Sequence, residues 1–287
     1  MTTMPKPAIP KTAVSRRAAF WATGVASLVV MALFYPTGEQ LARVWSIDAN
    51  YSHGYLVLPL SLALAWRIVG LHPPPRDGQA VLGGIVLALG LFVHFAGVVL
   101  RFLPLEWLAL LLILRGLAVC VGGSAWADHL LFPTFFLSFL FPLPVAWTTR
   151  IAIWLQDLVA SASTEVLGWF FLCFRRGNSI HIVGVQEMFV AQECSGVRQL
   201  IAFVALGSLI AHLGGLGFWR GFLLVCLALP VAIAANVLRV VLMGIGLKWF
   251  GTSWFFSWMH DLPALVTFPL GVALFLGLAW VITPNRK

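Results

Sequence analysis

Long apolar runs separated by short polar stretches dominate this 287-residue chain. A helix needs about 20 apolar residues to cross a bilayer, and it satisfies its own backbone hydrogen bonds there. The sequence therefore predicts an all-α polytopic membrane protein with about eight transmembrane helices. These predicted spans lie near residues 18–35, 54–71, 80–100, 103–121, 126–146, 196–213, 219–246 and 262–282.

Composition supports a membrane protein and excludes other classes. Hydrophobic residues make up 61% of the chain and charged residues 10%, which leaves no material for a sizeable soluble domain. The net charge is +8, but the basic residues stand singly between apolar runs or gather at the two ends. That distribution is typical of anchoring at membrane lipid, and it argues against nucleic acid as a partner.

The ends of the chain predict its domain organisation and orientation. Residues 1–17 form a basic tail, residues 18–282 a single transmembrane domain, and residues 283–287 a short basic tail. Basic segments stay in the cytoplasm, so both ends are expected there. Two cytoplasmic ends require an even number of spans.

The segment from residue 150 to 174 differs from the other runs because polar residues interrupt it. It is predicted either to span the membrane packed against other helices or to lie in the interface as an amphipathic helix. The even span count favours a helix that does not cross fully. A short β-hairpin is expected next, because β-branched runs are broken at Gly177, Asn178 and Gly184.

Three reactive residues are predicted to meet on one side of the membrane. Cys194 begins a helix that runs inward, Arg239 lies near the outer end of the returning helix, and His260 precedes the final helix. If the orientation in the membrane were inverted, the three residues would still lie on one side of the membrane. The sequence therefore predicts one site on the outer face.

These residue types suit nucleophilic catalysis. A helix N-terminus and a nearby cation lower the pKa of a thiol, and Arg198 is expected one helical turn beyond Cys194. A histidine accepts the thiol proton, while an arginine holds an oxyanion or a carboxylate. Asn236 is expected to orient Arg239 from the same helix face.

Each residue also has a structural interpretation, and the residues alone do not decide between the two. Cys194 can be a small core residue, His260 with Asp261 can cap the last helix, and Arg239 can extend to the headgroups. The chain contains no CxxC or HExxH motif. Neither a metal nor another cofactor is therefore predicted.

Several motifs give the chain a resemblance to the exosortase and archaeosortase family of membrane cysteine transpeptidases. The two specific ones are ECSGVRQL at 193–200 and PVAIAANVLRVVLMG at 230–244. YSHGYLVLPLSLALAWR at 51–67, FPTFFLSFLFPLP at 132–144 and MHD at 259–261 extend the resemblance over about residues 45 to 282. It implies that Cys194 is the nucleophile and that Arg239 and His260 are the other catalytic residues.

The resemblance also implies a substrate class and supporting residues. Its members cleave exported proteins that carry a C-terminal motif such as Pro-Glu-Pro, a membrane helix and a basic tail, then pass them to an acceptor that remains unknown here. This implies a bacterial inner membrane protein with an outer, periplasmic site and a link to exopolysaccharide. Residues expected to bind substrate or support the site are Tyr51, His53, Glu193, Ser195, Arg198 and Asn236.

Two alternatives remain open. Tyr51 and His53 are either substrate contacts or an anchor at the membrane interface, and His53 rivals His260 as the base. From another class, the chain is a non-catalytic transporter or scaffold for polysaccharide export, with Arg239 and Asp157 along a polar path. Dependence on the Cys194 thiol separates these functions.

Overall fold

A computed structural model describes residue 25 and the ranges 28–75, 78–185, 187–191, 195–251 and 262–283. The predicted tail at 1–17 and half of the predicted span at 18–35 fall outside these residues. The helices are α1 (Tyr35–Ile47), α2 (Gly54–Leu71), α3 (Ala80–Leu100), α4 (Leu103–Ala127), α5 (Leu131–Phe136), α6 (Val145–Gly168), α7 (Val197–Leu213), α8 (Phe218–Phe250) and α9 (Leu262–Ile282). Three strands, β1 (Cys173–Arg176), β2 (Ser179–Ile182) and β3 (Met188–Phe189), form one small sheet.

The helices confirm an α-helical membrane protein but not the count of eight spans. Among the described residues, five helical stretches are long and apolar enough to cross a bilayer. They are Ala49–Leu71, Ala80–Leu100, Leu103–Leu140, Phe218–Phe250 and Leu262–Ile282. Helix α7, at 17 residues, is shorter than these, and the polar α6 is not among them.

The predicted pair of spans at 103–121 and 126–146 takes a different form. Helical structure runs from Leu103 to Leu140, so no separate long helix covers 126–146. Gly123 has φ 78° and ψ 172°, a conformation outside the helical region, and it kinks this stretch. After the kink the chain forms only short helical turns, which end before Pro142.

The chain divides into two compact units. One consists of residues 1–47 and 55–141, and the other of residues 48–54 and 142–287. In the first unit α3 and α4 approach closely through glycines: a Cβ at Gly83 would lie 2.8 Å from the Gly116 carbonyl oxygen. Small residues at such contacts are the usual means of packing helices in membranes.

The second unit contains helices α6 to α9 and the sheet. The predicted hairpin is confirmed: β1 and β2 pair antiparallel through the two-residue turn Gly177–Asn178, with Gly177 at φ 60°. Strand β3 adds to the other side of β2. The sheet shares a buried cluster with α6 and α8, whose members include Val159, Leu167, Ile180, Ile182, Met188, Val190, Val240 and Leu247.

The polar residues of α6 form hydrogen bonds and an ion pair within this unit. The Gln156 amide donates a hydrogen bond to the Val190 carbonyl, and the Ser163 hydroxyl lies 3.5 Å from the Val237 carbonyl oxygen. Asp157 is exposed and pairs with Arg175 of β1 at 2.5 Å. The polar face predicted for residues 150–174 therefore contacts the sheet and α8.

Candidate functional site

The candidate site is built around the start of α7, directly after Cys194. Gly196 is the N-cap, with φ 90° and ψ 5°, and the helix begins at Val197. The left-handed Gly196 thus sets the start of the helix three residues after Cys194. The relation of Arg198 to Cys194 stays a prediction, because Cys194 lies outside the described residues.

Asn236 of α8 packs directly against this cap. A Cβ built on Gly196 would lie 3.0 Å from the Asn236 Nδ2 atom and 3.2 Å from its Cβ and Cγ atoms. Asn236 is fully buried. The Asn-x-x-Arg element of α8 is thus in contact with the residue two positions after Cys194.

Helices α7 and α9 run in the same direction, and α8 runs opposite to both. Gly271 faces Ala235 across α9 and α8, whereas Gly207 of α7 lies near Phe275 and Val225. Arg239 lies one helical turn after Ala235 in α8, and Thr267 lies one turn before Gly271 in α9. Because α8 and α9 are antiparallel, Arg239 and Thr267 lie at the same level of the helix pair.

Arg239 and Thr267 both carry buried polar atoms at this level. The Arg239 Nε atom and the hydroxyl of the fully buried Thr267 have no hydrogen-bond partner among the described residues. A buried donor that lacks a partner costs free energy, so such atoms are characteristic of a place where another group binds. Sequence analysis selected Arg239 but missed Thr267.

Gln199 is a second residue that sequence analysis missed. It lies in the first turn of α7, is 7% exposed, and its Oε1 atom has no partner among the described residues. An amide near the start of an otherwise apolar helix was the available signal for Gln199. Thr267 gave no comparable signal, since a hydroxyl in a membrane helix usually bonds to its own backbone.

The Tyr51 and His53 segment belongs to the same unit as this site. The short 3-10 helix Ala49–Tyr51 packs against α7, and Asp48 caps it by accepting from the Asn50 N–H. Tyr51 is 4% exposed, and its hydroxyl accepts a hydrogen bond from the Leu143 N–H at 3.1 Å. Tyr51 is therefore a buried residue and not an exposed anchor.

His53 follows two positions after Tyr51, and the two rings are 6.2 Å apart between centroids. Both ring nitrogens of His53 are buried. A half-buried imidazole in the unit that contains α7 remains compatible with a role as base.

The arginines divide into engaged and available groups. Arg175 donates to Asp157 and is therefore engaged. Arg150, Arg176 and Arg198 are exposed and form no ion pair with any residue in the described ranges. These three are therefore among the cations available to an acidic ligand.

Ser195 is 2% exposed, and it precedes the Gly196 cap. Cys194, Glu193 and His260 lie outside the described residues, so their predicted roles rest on the sequence.

The described cysteines differ from a reactive thiol in their surroundings. Cys173 in β1 donates to the Thr164 carbonyl at 3.3 Å, and burial raises the pKa of its thiol above the ordinary value. A thiol with a raised pKa is a poor nucleophile at neutral pH. Within the described part of the chain, no group of three or more His, Cys, Asp or Glu side chains is placed to hold a metal ion.

Comparison with known proteins gives one match. The family model described as transmembrane exosortase matches residues 45–277, which is most of the chain. Searches of curated proteins and of solved structures find no match.

Proposed function

Since this chain belongs to the transmembrane exosortase family, we propose that it is a membrane cysteine peptidase or transpeptidase. Its substrates are exported proteins with a C-terminal sorting signal, and Cys194 is the nucleophile. The signal consists of a short motif such as Pro-Glu-Pro, a membrane helix and a basic tail. The reaction takes place at the outer, periplasmic face of the inner membrane, in connection with surface protein sorting and exopolysaccharide.

The contact between Asn236 and Gly196 carries this proposal. It joins the Asn-x-x-Arg element, Asn236 to Arg239, to the residues that follow Cys194, although Asn236 lies 42 positions after Cys194 in the sequence. A catalytic site needs its groups held within a few tenths of an ångström of the productive geometry. A fully buried Asn236 against a backbone with no side chain provides that rigidity.

The proposed chemistry proceeds through a thioester. The Cys194 thiolate attacks the substrate carbonyl, so that an S–C bond forms and the C–N bond then breaks. The base that took the thiol proton returns it to the leaving amine. A nucleophilic acceptor or water attacks the thioester and regenerates the thiol.

Arg239 is assigned the role of stabilising the negative charge that develops in this reaction. Its Nε–H is buried and has no partner among the described residues, so it is available to a tetrahedral oxyanion or to a substrate carboxylate. The exposed Arg150, Arg176 and Arg198 are the candidates for pairing with an acidic residue in the signal. Asp157 does not support the polar path of the transporter alternative, because it pairs with Arg175.

Trapping the acyl-enzyme tests the proposal directly. Membranes that contain the enzyme and a signal-bearing substrate are quenched in acid, and Cys194 is analysed by mass spectrometry. We expect a substrate fragment attached to Cys194 through a bond that hydroxylamine cleaves. The raised pKa of Cys173 makes it an internal control that stays unmodified. An adduct on Cys173 instead, or none on Cys194 while processing continues, would contradict the proposal.

The base is predicted to be His260, and the test compares His260→Ala with His53→Ala. Removal of a base lowers kcat by about a hundredfold or more while KM changes little, because the base acts in the transition state. We therefore expect this pattern for His260→Ala and a smaller effect for His53→Ala. The reverse order of the two kcat values would assign the base to His53.

A further inference from the structure

Among the residues that the structure describes, no strand pairs with the outer edge of β3, which precedes Cys194 in the sequence. In its pairing with β2, Met188 faces Ile180 and Phe189 faces Ser179, and the Val190 N–H donates to the Asn178 carbonyl at 3.0 Å. Alternate residues of an antiparallel strand point their backbone groups to opposite sides. The N–H and C=O of Met188 and the N–H of Val190 therefore face β2, whereas the N–H and C=O of Phe189 face away from it.

The free edge also includes the Glu187 carbonyl. This carbonyl shares a peptide plane with the Met188 N–H and points the opposite way, away from β2. Glu187 and Phe189 thus offer outward hydrogen-bonding groups along one edge. Cys194 follows Phe189 by five positions, a separation of at most about 18 Å along the chain.

Side-chain burial holds this edge in place. Met188 and Val190 are 3% and 2% exposed and belong to the buried cluster with α6 and α8. The Gln156 amide binds the Val190 carbonyl, which fixes the strand from the opposite helix. Phe189 is 64% exposed, and its side chain stands on the face of the sheet opposite to the buried Met188 and Val190.

A free strand edge of this kind is expected to bind another strand. Unpaired backbone groups cannot face lipid, and in water a free edge is a template for an added strand. Extended peptides bind to proteins by adding themselves to such an edge, with affinity from the backbone and specificity from alternate side chains. A peptide that pairs with residues 187–189 binds to a segment that precedes the proposed nucleophile by five residues.

We propose that the substrate segment next to the cleaved bond binds as a fourth strand along β3. It pairs with the outward backbone groups of Glu187 and Phe189, and it contacts the Phe189 side chain. This inference rests on the proposed function, since it names how the same site receives its substrate. Pairing through the backbone lets one site accept many exported proteins.

The variant Phe189→Pro removes one outward N–H and leaves the bonds of Met188 and Val190 to β2. Proline is tolerated on edge strands for that reason. We expect Phe189→Pro to lower processing about tenfold or more, because a hydrogen bond is lost and the ring obstructs an added strand. The matched variant Phe189→Val loses the same aromatic ring but keeps the N–H, so it measures the side-chain contribution alone, and Phe189→Pro should process at least about tenfold less than Phe189→Val. Equal processing by both variants overturns the proposal.

A proline scan of the substrate tests strand pairing from the other side and does not alter the enzyme. Proline is placed in turn at each position beside the cleaved bond. Strand pairing predicts that tolerance alternates with a period of two, because only every second substrate N–H faces β3. A tolerance profile without that alternation contradicts the added strand.

Photo-cross-linking separates binding from chemistry. A benzophenone side chain is introduced at position 189 in the Cys194→Ala background, together with the signal-bearing substrate. We expect a cross-link to the substrate segment next to the cleaved bond. If that cross-link forms but the parent protein never processes the substrate, the proposed chemistry fails and the docking mode stands. A cross-link to a second copy of the chain overturns the docking mode.

Discussion

Replacing Cys194 with alanine should abolish processing of a co-expressed protein that bears the sorting signal. The thiolate provides the only bond between enzyme and substrate in the proposed reaction, so no slower step replaces it. Loss of a nucleophile in a catalytic group of this kind costs at least about a thousandfold in kcat. Western analysis of the unprocessed and processed forms measures the effect over that range.

Cys194→Ser is the more demanding variant of the same test. It preserves the size and hydrogen bonding of the side chain, but a hydroxyl is a far weaker nucleophile than a thiolate at neutral pH. We expect it to be as inactive as Cys194→Ala. Cys173→Ala serves as the matched control, because Cys173 is a partly buried thiol of raised pKa in the same unit. It should keep near-normal processing.

Continued processing by Cys194→Ala at normal expression would reject the enzyme. It would favour the second function, a transporter or scaffold in polysaccharide export. In that case Arg239 would matter for assembly or transport and not for an oxyanion. Export of polysaccharide in the Cys194→Ala strain is the measurement that distinguishes the two.

Apolar length was enough to predict the simple spans. The predicted spans at 54–71, 80–100 and 262–282 coincide with α2, α3 and α9 because each is a continuous apolar run of about 20 residues. The hairpin was equally predictable from Gly177 and Asn178, since a two-residue turn requires their conformations. These features depend on local sequence alone.

Features that depend on tertiary contacts could not be predicted from the sequence. The kink at Gly123 lies between the predicted spans 103–121 and 126–146, but the sequence did not indicate that only short helical turns follow it. The contact of Asn236 with Gly196 joins two helices, and the level shared by Arg239 and Thr267 follows from helix packing. Residues of the candidate site were therefore named from motifs, whereas their mutual placement needed the fold.

The Gly196 cap has its own energetic consequence. At φ 90° it occupies a conformation that L-residues other than glycine rarely adopt, and a Cβ there would meet the Asn236 Nδ2 atom at 3.0 Å. A side chain in such a conformation costs about 1–3 kcal/mol. The contact with the buried Asn236 adds to that cost, since neither α7 nor α8 can move without disturbing the packing between them.

Gly196→Ala should therefore damage both stability and activity. We expect a lower unfolding temperature in detergent and a loss of processing of about tenfold or more, because the strain is relieved most readily where the chain enters α7. That entry carries the residues directly after Cys194, so a shift there moves the proposed nucleophile relative to Arg239. Displacements of about 1 Å in a catalytic geometry are sufficient for such losses.

Gly217→Ala is the matched control for this effect. Gly217 is also the N-cap of a helix, but its φ is −61° and a Cβ there would meet nothing within 4 Å. Alanine at this position should leave unfolding temperature and processing close to those of the parent protein. Equal behaviour of Gly196→Ala and Gly217→Ala would mean that the tight cap against Asn236 does not govern the site. A selective loss in Gly196→Ala, with Cys194 still reactive toward a small alkylating reagent, would show that the cap sets catalytic geometry and not only folding.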